Sequence, residues 1–410
     1  MNKAPIHAPM DQFPIVDGQL TIAGKPITEV VNDVGQTPFY AYDRHLISQR
    51  VTELRNALPS KIHLHYAIKA NPMPALVQHM AGLVDGFDLA SAGEMRVALQ
   101  TPMPADKISF AGPGKTDVEL AAAIQAGVVI NMESEGEMRR IAVLANQFGI
   151  TPKVAIRVNP DYELKSSGMA MGGGPKQFGV DVERVPAMLQ ELSTLELEFY
   201  GFHIFWGSQN LKAEAIMEAH EKTFALAKRI SEYAPSPVKL LNIGGGLGIP
   251  YFPGEQRLNL QPIGENLNRL LPDLTAALPD AEIVTELGRY LVGEAGIYVC
   301  KIIDKKISRG ETFLITDGGL HHHLSASGNF GQVIRKNYPV TIANKANAQQ
   351  KEKVNVVGPL CTPLDVLGNK MDLPLAEVGD LVVVYQSGAY GFSASPHLFL
   401  SHPPVVEVLL

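Results

Sequence analysis

The chain has 410 residues, 46% hydrophobic and 19% charged, enough apolar content for a sizeable core and too long for one ordinary small domain. A net charge of −7 leaves no overall basic footprint for nucleic acid, and the two cysteines, Cys300 and Cys361, exclude a disulfide framework and suit a reducing compartment. No apolar run approaches the ~18 residues of a membrane span, and Met1–Gln19, broken by Pro5, Pro9 and Pro14, has no signal-peptide core. The expectation is a cytoplasmic enzyme with neither nucleic-acid nor membrane partners.

Residues 1–36 carry two β-like stretches, Leu20–Ile22 and Lys25–Ile27, with no helix. From about residue 60, short apolar runs read as strands: Ile62–Ile68, Val84–Leu89, Ile108–Phe110, Val128–Ile130, Val154–Val158, Phe199–Phe205, Leu240–Ile243 and Ile283–Thr285. Helical spacing fills the gaps, over Met73–Ala81, Gly93–Leu99, Val118–Ala126, Gly136–Phe148, Val182–Leu192, Ala213–Tyr233 and Ile263–Leu278. Thr116 and Asp117 suit the cap of Val118–Ala126, and Gly127 its stop. Eight such alternations predict an α/β fold with a (β/α)8 barrel, an open α/β sheet being the alternative. The glycine-rich stretch Lys165–Gln177 reads as a mobile loop. After Tyr290 the pattern turns to β-rich runs at Tyr298–Ile307, Thr312–Thr316, Val354–Val357, Leu381–Gln386 and Val405–Leu409, predicting a separate C-terminal antiparallel β-domain. The division expected is 1–36 joining the β-domain, 37–285 the barrel and 286–410 the β-domain.

In such a barrel the functional side chains stand at the C-terminal strand ends. Those ends carry Lys69, then Asp88 and Ser91, Arg157 and Asn159, His203 and Ser208, Gly244–Gly246, and finally Glu286 and Arg289. A lysine at the rim is placed where desolvation frees its amine for attack on a carbonyl, although alone it reads as a strand-end lysine reaching solvent. The triplet Gly244-Gly245-Gly246 can turn successive N–H groups toward an anion, and Arg289 and Ser208 on the same rim favour a phosphate. It is not a dinucleotide fingerprint, because that spacing requires glycine where Ile249 stands. A flat imidazole at His203 can stack on a ring; alone it reads as a core histidine. His321-His322-His323, taken as strand residues, point to alternate faces, and no metal is assigned to them.

These residues resemble the fold-type III pyridoxal-phosphate decarboxylases, the diaminopimelate/ornithine decarboxylase family. The resemblance runs through Tyr66-Ala67-Ile68-Lys69-Ala70-Asn71, Gly86-Phe87-Asp88-Leu89-Ala90-Ser91, Gly112-Pro113-Gly114-Lys115, the glycine triplet, Glu286 to Arg289, Gly358-Pro359-Leu360-Cys361 and Gly388-Ala389-Tyr390. It implies an alanine-racemase-like barrel with a β-domain, pyridoxal 5′-phosphate as cofactor, and α-decarboxylation. By the same resemblance Lys69 carries the cofactor, His203 stacks on its ring, and Glu286 contacts the pyridine nitrogen, making the ring an electron sink. Asp88, Ser208, Gly244–Gly246, Gly288, Arg289 and Tyr390 complete the cofactor site, and Arg157, Arg289, Arg335, Tyr338, Thr362, Asp365 and Tyr390 line the substrate. Cys361, the fourth catalytic residue beside Lys69, His203 and Glu286, would come from the partner subunit as proton donor, which implies a homodimer with shared sites.

Two departures stand out. Leu287 replaces the usual proline, and Thr362 stands where diaminopimelate and ornithine decarboxylases have an acidic residue that grips a distal ammonium. The Cys361-Thr362-Pro363 pattern resembles decarboxylases of the butirosin and siderophore pathways, whose substrates are acylated at the distal end or carrier-bound. Met171 to Gly179, His321–His323 and Ser401-His402-Pro403 look closest to exosortase-A-associated decarboxylases of exopolysaccharide biosynthesis. The expected substrate is therefore an amino acid, or a small-molecule or carrier-protein conjugate of one, whose distal end is acylated, anionic or carrier-bound. Asp365, three residues after Thr362, is the objection, since it could supply the missing charge. The alternatives are a free diamino acid decarboxylase, a racemase on the same fold, and a non-catalytic regulatory homologue.

Overall fold

The computed structural model describes residues 5–162, 169, 170 and 172–410, so part of the Lys165–Gln177 stretch lies outside the described residues. The chain divides into two compact units, Val51–Gly248 with Leu258–Gly288, and Met1–Arg50 with Ile249–Arg257 and Arg289–Leu410. Among the described residues no helix is long and apolar enough to cross a membrane.

The first unit is a closed barrel of eight parallel strands: Ile62–Ala67, Gly86–Leu89, Ile108–Phe110, Val129–Met132, Lys153–Asn159, Glu198–Ile204, Leu240–Asn242 and Glu282–Leu287. All eight expected strands are present. The last closes on the first through Thr285↔Leu64 and Glu286↔His65, which removes the open-sheet alternative. Local chemistry sets the helix ends between strands. The Thr116 side chain accepts the Glu119 N–H while Glu119 reaches back to the Thr116 backbone, and Gly127 at φ 75° ends that helix. The barrel interior is partly polar: Ser109 Oγ donates to Asp88, Asn131 Nδ2 to Ser109 Oγ at 3.2 Å, and His65 Nδ1 lies 3.3 Å from Asp88.

The second unit is a mixed sheet. Its strands are Phe39–Tyr42, Gly296–Ser308, Glu311–Thr316, Val340–Ile342, Lys351–Val357, Val366–Pro374, Leu381–Val384 and Val406–Leu409. Most pairs are antiparallel, as expected, but Glu311–Thr316 with Lys351–Val357 and Val406–Leu409 with Phe39–Tyr42 are parallel. Long connections join these partners and return the chain to the same end, where a hairpin would have reversed it. Its core gathers Phe39, Ala41, Ile297, Val299, Val383 and Tyr385.

Three sequence readings differ here. Residues 1–36 do hold a helix, Ile27–Val34, which opens after Pro26 and ends at Gly35 with φ 79°. Phe39–Tyr42 pairs with Gly296–Val299, so residues 37–50 group with the β-sheet unit, whereas residues 286–288 group with the barrel. His321–His323 lie in a turn, with the N–H groups of His322 and His323 both donating to Gly319 O at 3.0 Å, so strand alternation does not govern where they point. Among the described residues no group of three or more His, Cys, Asp or Glu side chains is arranged to hold a metal ion.

Candidate active site

Lys69 sits in the short turn Ile68–Ala70 directly after the first barrel strand. Tyr66 Oη donates to Asn71 O at 2.8 Å and Asn71 N to Ile68 O at 3.0 Å, so the turn is anchored by the strand it leaves. Gly288 packs against that turn; a Cβ there would come within 2.8 Å of Ala70 Cβ. Lys69 Nζ lies 3.6 Å from Oε1 of Glu286 and 5.6 Å from the centre of the Phe205 ring.

Glu286, on the eighth strand, and His203, on the sixth, are both buried. Burial alone would raise the Glu286 carboxyl, but Lys69, His203 and Arg157 outweigh it and hold the group well below the usual carboxylate range. His203 Nε2 lies 3.1 Å from Oε2 of Glu286. Oε2 and both His203 nitrogens are buried without a hydrogen-bond partner. Such atoms are costly to leave unmet, and at a barrel mouth they mark a place where a ligand completes the set.

The glycine triplet runs beside them. Gly244 O accepts the Glu286 N–H and the Thr285 hydroxyl, each at 2.9 Å, while Gly244 N donates to Asn242 Oδ1 at 2.8 Å. Gly244 and Gly246 have φ of 70° and 79° around Gly245, an alternation that turns successive N–H groups to one side as an anion nest. No side chain fits there, since a Cβ on Gly245 would lie 2.0 Å from Glu286 O and one on Gly246 2.5 Å from the Trp206 ring. The set fits pyridoxal phosphate: a protonated ring nitrogen is the donor that Glu286 Oε2 lacks, and the nest suits a phosphate.

Other expected residues are placed differently. Asp88 is buried inside the barrel against Ser109, Asn242 and His65. Arg157 Nη1 donates to Glu133 Oε1 at 2.8 Å, and its guanidinium lies 4.8 Å from the Phe178 ring. Glu133 also accepts the N–H groups of Gly112 and Gly179, so Arg157 is braced by a carboxylate the sequence reading missed, one residue past a barrel strand. Ser208 pairs through its backbone with Met169.

The β-sheet unit forms two groups of its own. Arg289 Nη1 donates to Tyr251 Oη at 2.8 Å, and its guanidinium lies 4.6 Å from the Tyr390 ring, which stands at φ 54°. Tyr251, also missed from the sequence, packs against Tyr338 with ring centres 4.7 Å apart and planes tilted by 39°, and Arg289 Nε has no hydrogen-bond partner. The second group surrounds Cys361, an exposed free thiol. Arg335 donates to Ser327 O at 3.0 Å and Val366 O at 2.7 Å, and Thr362 Oγ1 accepts the Leu364 N–H at 3.4 Å. Asp365 is 2% exposed and accepts the Leu320 N–H at 2.6 Å and the Leu360 N–H at 2.8 Å. Arg335 and Asp365, expected to line the substrate, are thus bonded to backbone.

The family model described as "Pyridoxal-dependent decarboxylase, pyridoxal binding domain" matches residues 44–293. The L-glutamyl-[BtrI acyl-carrier protein] decarboxylase of Niallia circulans is 38% identical over 91% of this chain and 89% of its own. Diaminopimelate decarboxylase of Aquifex aeolicus is 33% identical over 96% and 91%, and 2-[(L-alanin-3-ylcarbamoyl)methyl]-2-hydroxybutanedioate decarboxylase of Staphylococcus aureus 32% identical over 89% and 92%. The solved diaminopimelate decarboxylase of M. jannaschi superimposes with a TM-score of 0.88 at 26% identity, covering 97% of this chain and 92% of its own. With the family model matched across the barrel and relatives aligned nearly end to end, the chain belongs to the pyridoxal-dependent decarboxylases and is a carboxy-lyase that works with pyridoxal 5′-phosphate.

Proposed function

We propose that this chain decarboxylates the α-carboxylate of an amino acid whose distal end is acylated, anionic or carrier-bound, in the cytoplasm and as a homodimer. One observation carries the substrate reading. The turn Gly358–Val366 has a single carboxylate, Asp365, and both its oxygens are taken by the amides of Leu320 and Leu360. Thr362 is neutral, so the turn offers no acidic side chain to a distal ammonium, and such a group left unpaired costs about 1–3 kcal/mol. The substrate named for the Niallia circulans relative is carrier-bound, which supports the same reading. Exopolysaccharide biosynthesis finds no support in the relatives compared.

When bound, pyridoxal phosphate would supply an electron sink for the loss of the α-carboxylate. The chain's own residues prepare that event. Lys69 presents its amine at the rim, Glu286 stays ionised to keep a ring nitrogen protonated, and His203 covers a ring face. Gly244–Gly246 hold the phosphate, and Cys361 of a second copy returns a proton to the α-carbon.

Two measurements test this. The first is kcat/KM for free diaminopimelate, lysine and ornithine against distally acylated or carrier-bound analogues, in wild type and Thr362→Glu. The wild type is expected to favour the modified substrates by roughly tenfold to hundredfold, and Thr362→Glu to narrow the gap. Efficient turnover of a free diamino acid by the wild type would overturn the substrate reading in favour of a diamino acid decarboxylase. The second mixes inactive Lys69→Ala with inactive Cys361→Ala protein. Partial recovery is expected from sites shared between copies, and no recovery after proven subunit exchange contradicts sharing.

A further inference from the structure

Asp365 invites a closer reading, because a buried carboxylate that touches no cation needs a reason to be there. Its two oxygens bridge two segments: Oδ1 accepts the Leu320 N–H at 2.6 Å and Oδ2 the Leu360 N–H at 2.8 Å. Its backbone closes the same turn, with Gly358 N donating to Asp365 O at 3.1 Å and Asp365 N to Thr362 O at 3.3 Å. Leu360 is the residue before Cys361. Two glycines make room for the carboxylate. A Cβ on Gly319 would lie 2.2 Å from Oδ1, and one on Gly358 2.3 Å from Oδ2. Arg335 holds the far end of the turn at Val366 O, at 2.7 Å. Cys361 itself stays exposed on a turn that is fastened on both sides.

We propose that Asp365 is a positioning residue: its carboxylate clamps the Cys361 turn to the Leu320 segment and so sets where the thiol stands. The proposal rests on Cys361 as the proton donor. A reacting group displaced by about 1 Å loses on the order of a hundredfold in rate, so fixing this turn is worth a buried charge. Asparagine at 365 keeps one acceptor oxygen and turns an NH2 toward the other amide, opening one jaw of the clamp. Alanine at 319 pushes the intact carboxylate from the opposite side.

The test uses Asp365→Asn, Gly319→Ala and Cys361→Ala holoenzymes. Turnover is read as CO2 release from whichever substrate class the wild type accepts. Alkylation of Cys361 by iodoacetamide is read by mass spectrometry, Cys300 being buried. For Asp365→Asn and Gly319→Ala, kcat is expected to fall roughly tenfold to hundredfold with KM and bound cofactor near wild type, and the alkylation rate to change by about threefold or more. A general loss of packing would lower the cofactor content as well. If kcat and alkylation in both variants stay near wild type while Cys361→Ala is impaired, the clamp is refuted. If Cys361→Ala itself turns over normally, it is the reading of Cys361 that fails.

Discussion

Each unit of this protein buries a polar cluster, and the two are built on opposite electrostatic plans. At the barrel mouth the buried acids are charged and paired: Glu286 with Lys69 at 3.6 Å and Glu133 with Arg157 at 2.8 Å. In the β-sheet unit the cluster of Tyr40, Tyr298 and His321–His323 is neutral. Burial pushes the two phenols well above their usual range and pulls His321, His322 and His323 down to about 3, 4 and 3. For His322 and His323 hydrogen bonds select the tautomer. His322 meets Pro403 O at 3.0 Å, and His323 meets Ser387 Oγ at 2.9 Å while its Nδ1 accepts the Ala326 N–H. Buried charge is costly unless paired, whereas a buried neutral group needs only its hydrogen bonds. The contrast lies between these two clusters: at the mouth the buried acids are met by cations, whereas the packed rings stay neutral.

The sharpest way to break this contrast is to remove charge while keeping shape. Glu286→Gln is expected to lower kcat by about 10²–10⁴-fold, the range for displaced proton-holding and electrostatic groups, with the barrel still folded by circular dichroism. A loss below about threefold would make the charge incidental and put both clusters on the same footing.

A smaller effect separates the clusters by pH. Glu286 is depressed, so its contribution to stability is present above the unfolded carboxylate range and is lost only as pH falls below it. The three imidazoles are depressed too, but from 6.5, so the unfolded chain takes up protons first and stability drains away as pH falls from about 6.5 toward 4. His220, on the helix Ala213–Ser231, behaves the same way. The unfolding free energy from urea titrations should therefore fall between pH 7 and 4.5 in the wild type, and by about 1–3 kcal/mol less in His321→Phe. Equal acid slopes in the two proteins would remove His321 from this account.

The barrel was legible because its strands are short apolar runs between helices with strong ends, such as the Thr116 capping box and Gly127. Strand-end counting found Lys69, His203, the glycine triplet and Glu286, because barrel topology alone brings those positions to one rim. The β-sheet unit was less legible for a physical reason. Phe39–Tyr42 is a strand through partners at Gly296–Val299 and Val406–Leu409, far along the chain, and Val366–Pro374 mixes Gly, Asn, Lys and Asp in a strand with several exposed positions. Tyr251, Glu133 and the inward turn of Asp365 were illegible likewise, since each role is set by a distant partner. His321–His323 misled because a strand was assumed where the chain turns.

That distant pairing has a consequence in time. All four residues of Phe39–Tyr42 are buried, and their strand partners, Gly296–Val299 and Val406–Leu409, follow the whole barrel. At a synthesis rate of about 5–20 residues per second, this apolar segment leaves the ribosome on the order of tens of seconds before its last partner exists. Successive barrel strands, by contrast, meet their next neighbours soon after they are made, and the first strand waits only for the eighth to close the barrel. During that interval Phe39, Tyr40 and Tyr42 form an unpaired strand edge, the kind of surface that holdase chaperones cover and that aggregation exploits.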